Sequence, residues 1–280
     1  MSTTQTQRPR AAYALGDTPQ EYERLRVQAR VWEAATGRLL DQVGLAPGAT
    51  CLDAGCGPGE TMRLMAERVG PAGRVLGIDA DPVLGAMTLA TLHGAGHRQC
   101  YFQAQDLTAG QPIPGAPFDL VYARLLLFHL PQRVEVLGRL WDAVVPGGQL
   151  LVQDYDLRSV STLPQPDWGR ELLRVLTGAF GAAGADVCAG TRLPQLFAQA
   201  GIGTPDGTDV AGRIEPLATG RIIMESTFRS VLPTALAHGI TTQERAAVAL
   251  ASIDRDATRF PDRPVLWPLL IGAWKRKEQA

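Results

Sequence analysis

From Thr50 onward, apolar and polar positions repeat in a strand–helix rhythm. "TCLDAG" (50–55) is a short apolar run ending in glycine. "ETMRLMAERVG" (60–70) then sets Met62, Met65, Ala66 and Val69 on one helical face. "GRVLGIDAD" (73–81) reads as a second strand, "PVLGAMTLATLHGAG" (82–96) as a helix with Pro82 at its start, and "RQCYFQAQDL" (98–107) as a third strand. "PFDLVYARLLLF" (117–128) is a fourth, very apolar strand. "PQRVEVLGRLWDAVVPGG" (131–148) is a helix closed by Pro-Gly-Gly, and "QLLVQDYD" (149–156) is a fifth strand. Alternation of this kind predicts an α/β fold: a doubly wound, mostly parallel sheet with helices on both faces.

The flanks differ. "DTPQEYERLRVQARVWEAATGRLLDQVG" (17–44) predicts one long helix, with Thr18 as N-cap, Pro19 at the first helical position and Glu21 completing a capping box. Leu25, Trp32, Leu39 and Val43 share its expected buried face. After Asp156 come a loop (159–169), helices at 170–184 and 193–202, a sixth strand at 206–217 and two helical segments within 217–258. The last strand, 264–277, carries irregularities at Pro268 and Gly272. The expected organisation is an N-terminal helical segment, 1–44, that forms part of a cap, then a Rossmann-like core, 45–156. A cap region, 157–263, includes a core helix and the sixth strand, and 264–280 forms the final core strand and tail.

Composition narrows the functions. The chain has 280 residues, 45% of them apolar and 20% charged, enough for a sizeable core. Lys and Arg number 27 against 28 Asp and Glu, a net charge of −1, so the basic excess of a nucleic-acid binder is missing. Cysteines 51, 56, 100 and 188 form no C-x-x-C pair and no Cys/His cluster at zinc spacing, which predicts free thiols and no metal. "MSTTQTQRPR" has no apolar signal core, and no apolar run is long enough to span a bilayer. A soluble, cytoplasmic protein is expected.

The chemistry concentrates after the first strand. "CLDAGCGPGE" (51–60) carries glycines at 55, 57 and 59, and Glu60 stands where a dinucleotide fingerprint would place its last glycine. Without Cβ atoms these glycines let the backbone turn sharply and approach a ligand. Asp79, at the tip of the second strand, is placed to grip a ribose, because a carboxylate accepts from two adjacent hydroxyls. Asp81, directly before Pro82, is the better cap for the following helix. In "AQDL" (104–107), Asp106 could hold the exocyclic amine of an adenine and the Leu107 N–H a ring nitrogen; a turn aspartate is the plainer alternative.

Taken in order, "LDAGCGPGE", "GIDAD", "QDL", "FDLVYARLLLFHL" and "PGGQLLVQDYD" resemble the class I S-adenosylmethionine-dependent methyltransferases, with a core like that of the ubiquinone and menaquinone methyltransferases. The likeness covers roughly 48–156, and 264–274 resembles the family's final antiparallel strand. It implies a seven-stranded sheet and S-adenosylmethionine as cofactor. Asp53 and the turn Gly55, Cys56, Gly57 and Gly59 would lie near the methionine moiety. Asp79 would hold the ribose, Ala80 the adenine face, and Gln105, Asp106 and Leu107 the adenine edge. Ala123 and Arg124 would lie along the cofactor, and Tyr13 would help close its mouth.

For the acceptor, His129 in "LLLFHLP" is the candidate general base, with Tyr155 and Asp156 behind it. A helix-packing role for His129 stays open. The Asn/Asp-Pro-Pro-Tyr/Phe segment typical of base-amino methylation is missing after the fourth strand, where the chain reads "ARLLLF". With the neutral charge, this points to a small-molecule acceptor rather than nucleic acid or membrane. Phe180, Met224, Phe228, Leu232 and Trp267 are candidates to line an apolar pocket suited to an aromatic, polyketide-like or prenyl acceptor of specialised metabolism. Whether O, N or C is methylated stays open, as does a homodimer. The alternatives are a protein of this fold that binds the cofactor for other chemistry, and a nicotinamide oxidoreductase.

Overall fold

The computed structural model describes residues 19–279. Tyr13, Thr18 and the side chain of Glu21 lie outside the described residues. The chain opens with α1 (Pro19–Val31) and α2 (Glu33–Gln42), followed by β1 (Thr50–Ala54), α3 (Glu60–Val69), β2 (Arg74–Asp79) and α4 (Pro82–Gly94). Then come β3 (Cys100–Ala104), β4 (Phe118–Arg124), α5 (Arg133–Asp142) and β5 (Val144–Asp156). The distal half comprises β6 (Ser161–Thr162), α6 (Asp167–Ala182), α7 (Leu193–Gln199), β7 (Gly207–Ala211), β8 (Ile214–Pro216), α8 (Leu217–Ala237), α9 (Gln243–Arg259), β9 (Pro264–Leu266) and β10 (Leu269–Arg276).

Seven strands form the main sheet in the order β3-β2-β1-β4-β5-β10-β7. All neighbours run parallel except β10, which is antiparallel to β5 and β7. The strand order reverses between β1 and β4, so a crevice opens there at the carboxyl ends of the strands. Both faces are covered. Leu39, Leu40, Met62 and Met65 of α2 and α3 pack on one, and Leu137 and Leu140 of α5 with Leu196 and Phe197 of α7 on the other. The central strands are accordingly apolar on both sides, as parallel strands must be.

The expected long helix at 17–44 is two helices. The chain turns at Trp32 (φ −102°, ψ 7°), whose indole N–H donates to the Tyr155 hydroxyl at 2.6 Å. That turn lets α2 lie on the sheet, where the Thr36 hydroxyl donates to Gln153 Oε1 at 2.9 Å, while α1 crosses towards α8. Leu25 is only half-buried, whereas Trp32, Leu39 and Val43 are buried as expected. Pro-Gly-Gly does not close α5. The helix ends at Asp142, and β5 already pairs with β4 at Val144, before a bulge that restores pairing at Gln149.

The largest departure concerns the last three strands. Expected strand 206–217 is two, β7 and β8, and 264–277 is two, β9 and β10. Strands β6, β9 and β8 make a separate antiparallel sheet in that order. They continue β5, β10 and β7, the three neighbours at one edge of the main sheet. Each strand thus steps out of one sheet and into the other. Pro268 has no N–H to continue the β10 ladder, and the step is held by Trp267 N–H to Arg213 O (3.0 Å) and Leu269 N–H to Ser159 Oγ (2.8 Å). Gly272, expected as an irregularity, sits in regular β10 pairing, where a Cβ would meet Leu39 Cδ1 at 2.5 Å. Helices α6, α8 and α9 pack on one another beside the small sheet.

Gly85 offers a test of packing against propensity. Alanine in the middle of α4 would gain about 1 kcal/mol of helix propensity. Its Cβ, however, would fall within 2.2 Å of the Phe102 ring. Overpacking of this kind costs about 1–3 kcal/mol. Gly85→Ala is therefore expected to lower the urea midpoint with the slope unchanged; a raised midpoint would show that Phe102 moves aside without cost.

Candidate active site

Five residues, Gly55 to Gly59, make the whole turn from β1 to α3. Gly55, Gly57 and Gly59 have φ of 71°, 49° and 77°, a region costly for any residue with a Cβ. The Gly55 and Cys56 N–H groups donate to Ile78 O at 2.8 and 3.0 Å, fastening the turn to β2. A Cβ at Gly59 would meet Thr88 Cγ2 at 2.4 Å, and one at Gly55 would meet Leu126 Cδ1 at 2.9 Å. At Gly57 it would meet nothing within 4 Å. Gly57 is the residue of the three that faces open space.

Three carboxylates sit around this turn. Asp79 Oδ2 accepts the Gly57 N–H and Oδ1 the Asp81 N–H, each at 3.0 Å. Burial raises the Asp79 pKa, and these amide donors oppose the rise. Asp81 caps α4, accepting from Val83 and Leu84 N–H, and also takes the Tyr22 hydroxyl of α1 at 2.6 Å. Asp53 is buried in β1 with Oδ2 unpartnered. Burial lifts its pKa to about 7, against the opposing pull of the Arg124 guanidinium.

The remaining cofactor candidates divide. Ala80 is exposed at the tip of β2. Asp106 forms a turn, its Oδ1 accepting the Thr108 N–H (2.8 Å) and hydroxyl (2.7 Å). The Leu107 amide donates to no acceptor among the described residues, and its carbonyl accepts from Arg139 of α5. Gln105 braces the same loop through Pro112 O (3.1 Å), and its N–H donates to Asp79 O at 2.9 Å. The Cys56 side chain points into the core beside Gly77 and Met62, which leaves only its backbone at the turn. Ala123 is buried in the core. Arg124 donates to Thr36 Oγ1 at 3.0 Å and forms no ion pair among the described residues.

Beyond the turn lies a cavity with about 770 Å³ of atom-free space, part of it open to solvent. Its walls come from α1, the segment after β4, the step between the two sheets, α6 and α8. Leu126, which packs on Gly55, is flanked by Leu125, a lining residue at φ 54°. A positive φ at a bulky leucine is strained, and such strain collects at functional sites. The lining is overwhelmingly apolar, with Arg24, Gln28, His129, Tyr155 and Thr227 as its polar members. Of the expected lining residues, Phe180, Met224 and Trp267 are there, while Phe228 and Leu232 pack in the cap core behind the wall.

His129 lies in this wall, in a short 3-10 turn, with its ring edge-on to Phe128 (4.9 Å) and Phe180 (6.0 Å). Burial, reinforced by the Arg24 charge, lowers its pKa to about 4. A base that weak drives proton transfer poorly at neutral pH, contrary to the expectation that its ordinary pKa would serve. Asp156 is committed elsewhere, to Arg158 and the Thr191 hydroxyl, and does not line the cavity.

The sheet order and the glycine turn at its reversal point define the class I, S-adenosylmethionine-dependent methyltransferase fold. Residues 51–148 match a family of methyltransferase domains. The chain is 35% identical over 124 residues to a trans-aconitate 2-methyltransferase of Variovorax paradoxus, covering 44% of this chain and 45% of that protein. The chain thus matches less than half the length of this relative. In structure it resembles a candidate methyltransferase from Bacillus halodurans (TM-score 0.60, 14% identity, 88% of this chain and 100% of that one). It also resembles phosphoethanolamine N-methyltransferase 2 of Haemonchus contortus, solved with S-adenosylhomocysteine (TM-score 0.52, 16% identity, 92% and 58%). The finer likeness to quinone methyltransferases finds no support in these matches.

The residues present fit the cofactor. Gly57 faces open space, Asp79 is an acceptor-only group, and Asp53 holds an orphaned carboxylate oxygen suited to a cationic ligand. Several contributors were hidden in the sequence. Tyr22, Arg24 and Gln28 looked like ordinary helix polars, and the i, i+4 spacing of Arg24 and Gln28 was the one available signal.

Asp53 supplies a pH test. Below about pH 7 its carboxyl holds a proton that a cationic ligand must displace, so affinity should fall as pH drops. S-adenosylmethionine binding is expected to weaken by up to ~10-fold per pH unit below 7. Calorimetry in buffers of different ionisation enthalpy should detect proton release near pH 7, and Asp53→Asn should abolish it.

Proposed function

We propose that this protein transfers a methyl group from S-adenosylmethionine to a small, largely apolar or aromatic molecule held in the cavity. The observation that carries this reading is the position of the cavity. Leu125 in its wall adjoins Leu126, which packs on Gly55 of the glycine turn; helices α1, α6 and α8 cover the cavity, and its wall is apolar apart from a few polar groups. An acceptor such as the tricarboxylate of the Variovorax relative would need several cations, whereas Arg24 is the lone guanidinium lining this cavity among the described residues. Glu60, in the first turn of α3 and paired with Arg63 (3.3 Å) and Arg30 (3.6 Å), puts an anion where a dinucleotide's pyrophosphate would bind. That speaks against the oxidoreductase alternative.

The bound cofactor supplies an electrophilic methyl on a sulfonium. In this reading Asp79 would hold the ribose hydroxyls, and Leu107 N–H with Asp106 would orient the adenine. Asp53 balances the cationic end. The cap excludes water and aligns the acceptor, which is most of what an in-line displacement needs. His129 acts as a neutral hydrogen-bond partner to the acceptor rather than as the main base. The same cavity and the near-neutral charge support a small-molecule acceptor rather than nucleic acid. No described helix is long and apolar enough to cross a membrane.

The direct test is demethylated cofactor appearing in step with a methylated acceptor in a screen of apolar phenols, enols and amines. Cofactor breakdown without methylation would point instead to other chemistry on the same fold. Asp79→Ala should weaken cofactor binding about 10- to 100-fold, the loss of charge-assisted hydrogen bonds. His129→Ala should lower kcat less than ~10-fold, well short of the 10²–10⁴ of a lost general base. Its titration near pH 4 should leave no limb in the rate profile between pH 5.5 and 8.

A further inference from the structure

Tyr155, the penultimate residue of β5, stands in the cavity wall, and its hydroxyl has an unusual set of partners. The Trp32 indole N–H donates to it at 2.6 Å and the Gln28 amide Nε2–H at 3.1 Å. Indole can only donate, so the first bond has one possible direction. An amide can be turned either way, but Arg24 Nη1 donates to Gln28 Oε1 at 2.5 Å. A guanidinium cannot accept, so Gln28 must present its oxygen to Arg24 and its NH₂ to Tyr155. Arg24 is steadied in turn by Thr227 Oγ1 (3.4 Å).

A phenolic hydroxyl has two lone pairs and one proton. Both lone pairs are filled, and no acceptor for the proton is found among the described residues. Burial raises the Tyr155 pKa despite the two donors, so the group stays a phenol and the base role expected for it is unavailable. A buried donor without an acceptor is costly, and the free space beside Tyr155 is the cavity.

We propose that Tyr155 is a specificity-determining hydrogen-bond donor, and that the acceptor molecule carries a carbonyl or hydroxyl oxygen that receives its proton. The inference rests on the cavity being the acceptor site. Arg24, Gln28 and Trp32 are then positioning residues, which set the direction in which the hydroxyl donates. A largely apolar molecule is then discriminated by the oxygen it presents to Tyr155, since an analogue lacking it leaves the phenol proton unpaired.

Two probes of closely matched shape separate the premise from the inference: 2-isopropenylnaphthalene and 2-acetylnaphthalene, titrated by calorimetry in the presence of S-adenosylhomocysteine. Binding of the hydrocarbon tests the cavity, and the extra affinity of the ketone tests Tyr155. The ketone should bind wild type about five- to tenfold more tightly. Tyr155→Phe should erase that advantage and change the hydrocarbon less than about twofold. Gln28→Glu keeps the hydroxyl but offers it a carboxylate, so it too should erase the ketone's advantage; a merely structural role for Tyr155 predicts no such effect. Should Tyr155→Phe fail to fold, Gln28→Glu alone decides. Equal binding of the two probes to wild type, or a ketone advantage that survives in the folded variants, overturns the inference. If neither probe binds, the reading of the cavity falls and takes the inference with it.

Discussion

The arrangement around the site depends on the carboxylate of Asp79. One oxygen holds the Gly57 N–H and the other the Asp81 N–H, so a single side chain ties the first crossover to the second. Asp81 in turn caps α4 and receives Tyr22 from α1. The turn, the helix that follows β2 and the covering N-terminal helix therefore share one anchor. The left-handed glycines make this possible, because they bring a backbone amide down onto the carboxylate without a side chain in the way.

A second polar layer joins those helices to the sheet. Gln153 Oε1 accepts both the Tyr122 hydroxyl (2.5 Å) and the Thr36 hydroxyl (2.9 Å), and Arg124 also reaches Thr36. One residue past the neighbouring position on β5, Tyr155 takes Trp32 and Gln28. Buried hydrogen bonds of this kind add little net stability, but leaving one unmade is expensive, so they fix where α1 and α2 sit. The surrounding contacts of Trp32, Phe128 and Phe180 supply the apolar area.

The parallel core was legible because its information is local. Apolar runs such as "LVYA" in β4, and the glycines and aspartates at strand ends, act within a few residues and match the observed elements closely. Asp81 as the cap of α4 was readable for the same reason. What escaped was set by distant partners. Nothing near Trp32 breaks a helix; the break exists because Tyr155 and the sheet take its side chain. Nothing near Ala211 or Leu266 announces a change of sheet beyond a glycine and a proline, since the step depends on three strands making it together. His129 was placed on the correct side of the sheet, but its low pKa comes from burial and from Arg24, more than a hundred residues away in sequence.

That shared step has a consequence for how such molecules diversify. The small-sheet strands beside the cavity, β6, β8 and β9, each continue a strand of the main sheet, β5, β7 and β10, across a short step. The cap is therefore not a cassette that recombination could exchange at a single junction. A graft would need compatible crossings at three places at once, near residues 157–160, 212–213 and 267–268. Side-chain replacement along the cavity wall, by contrast, reshapes the cavity without touching any of those crossings.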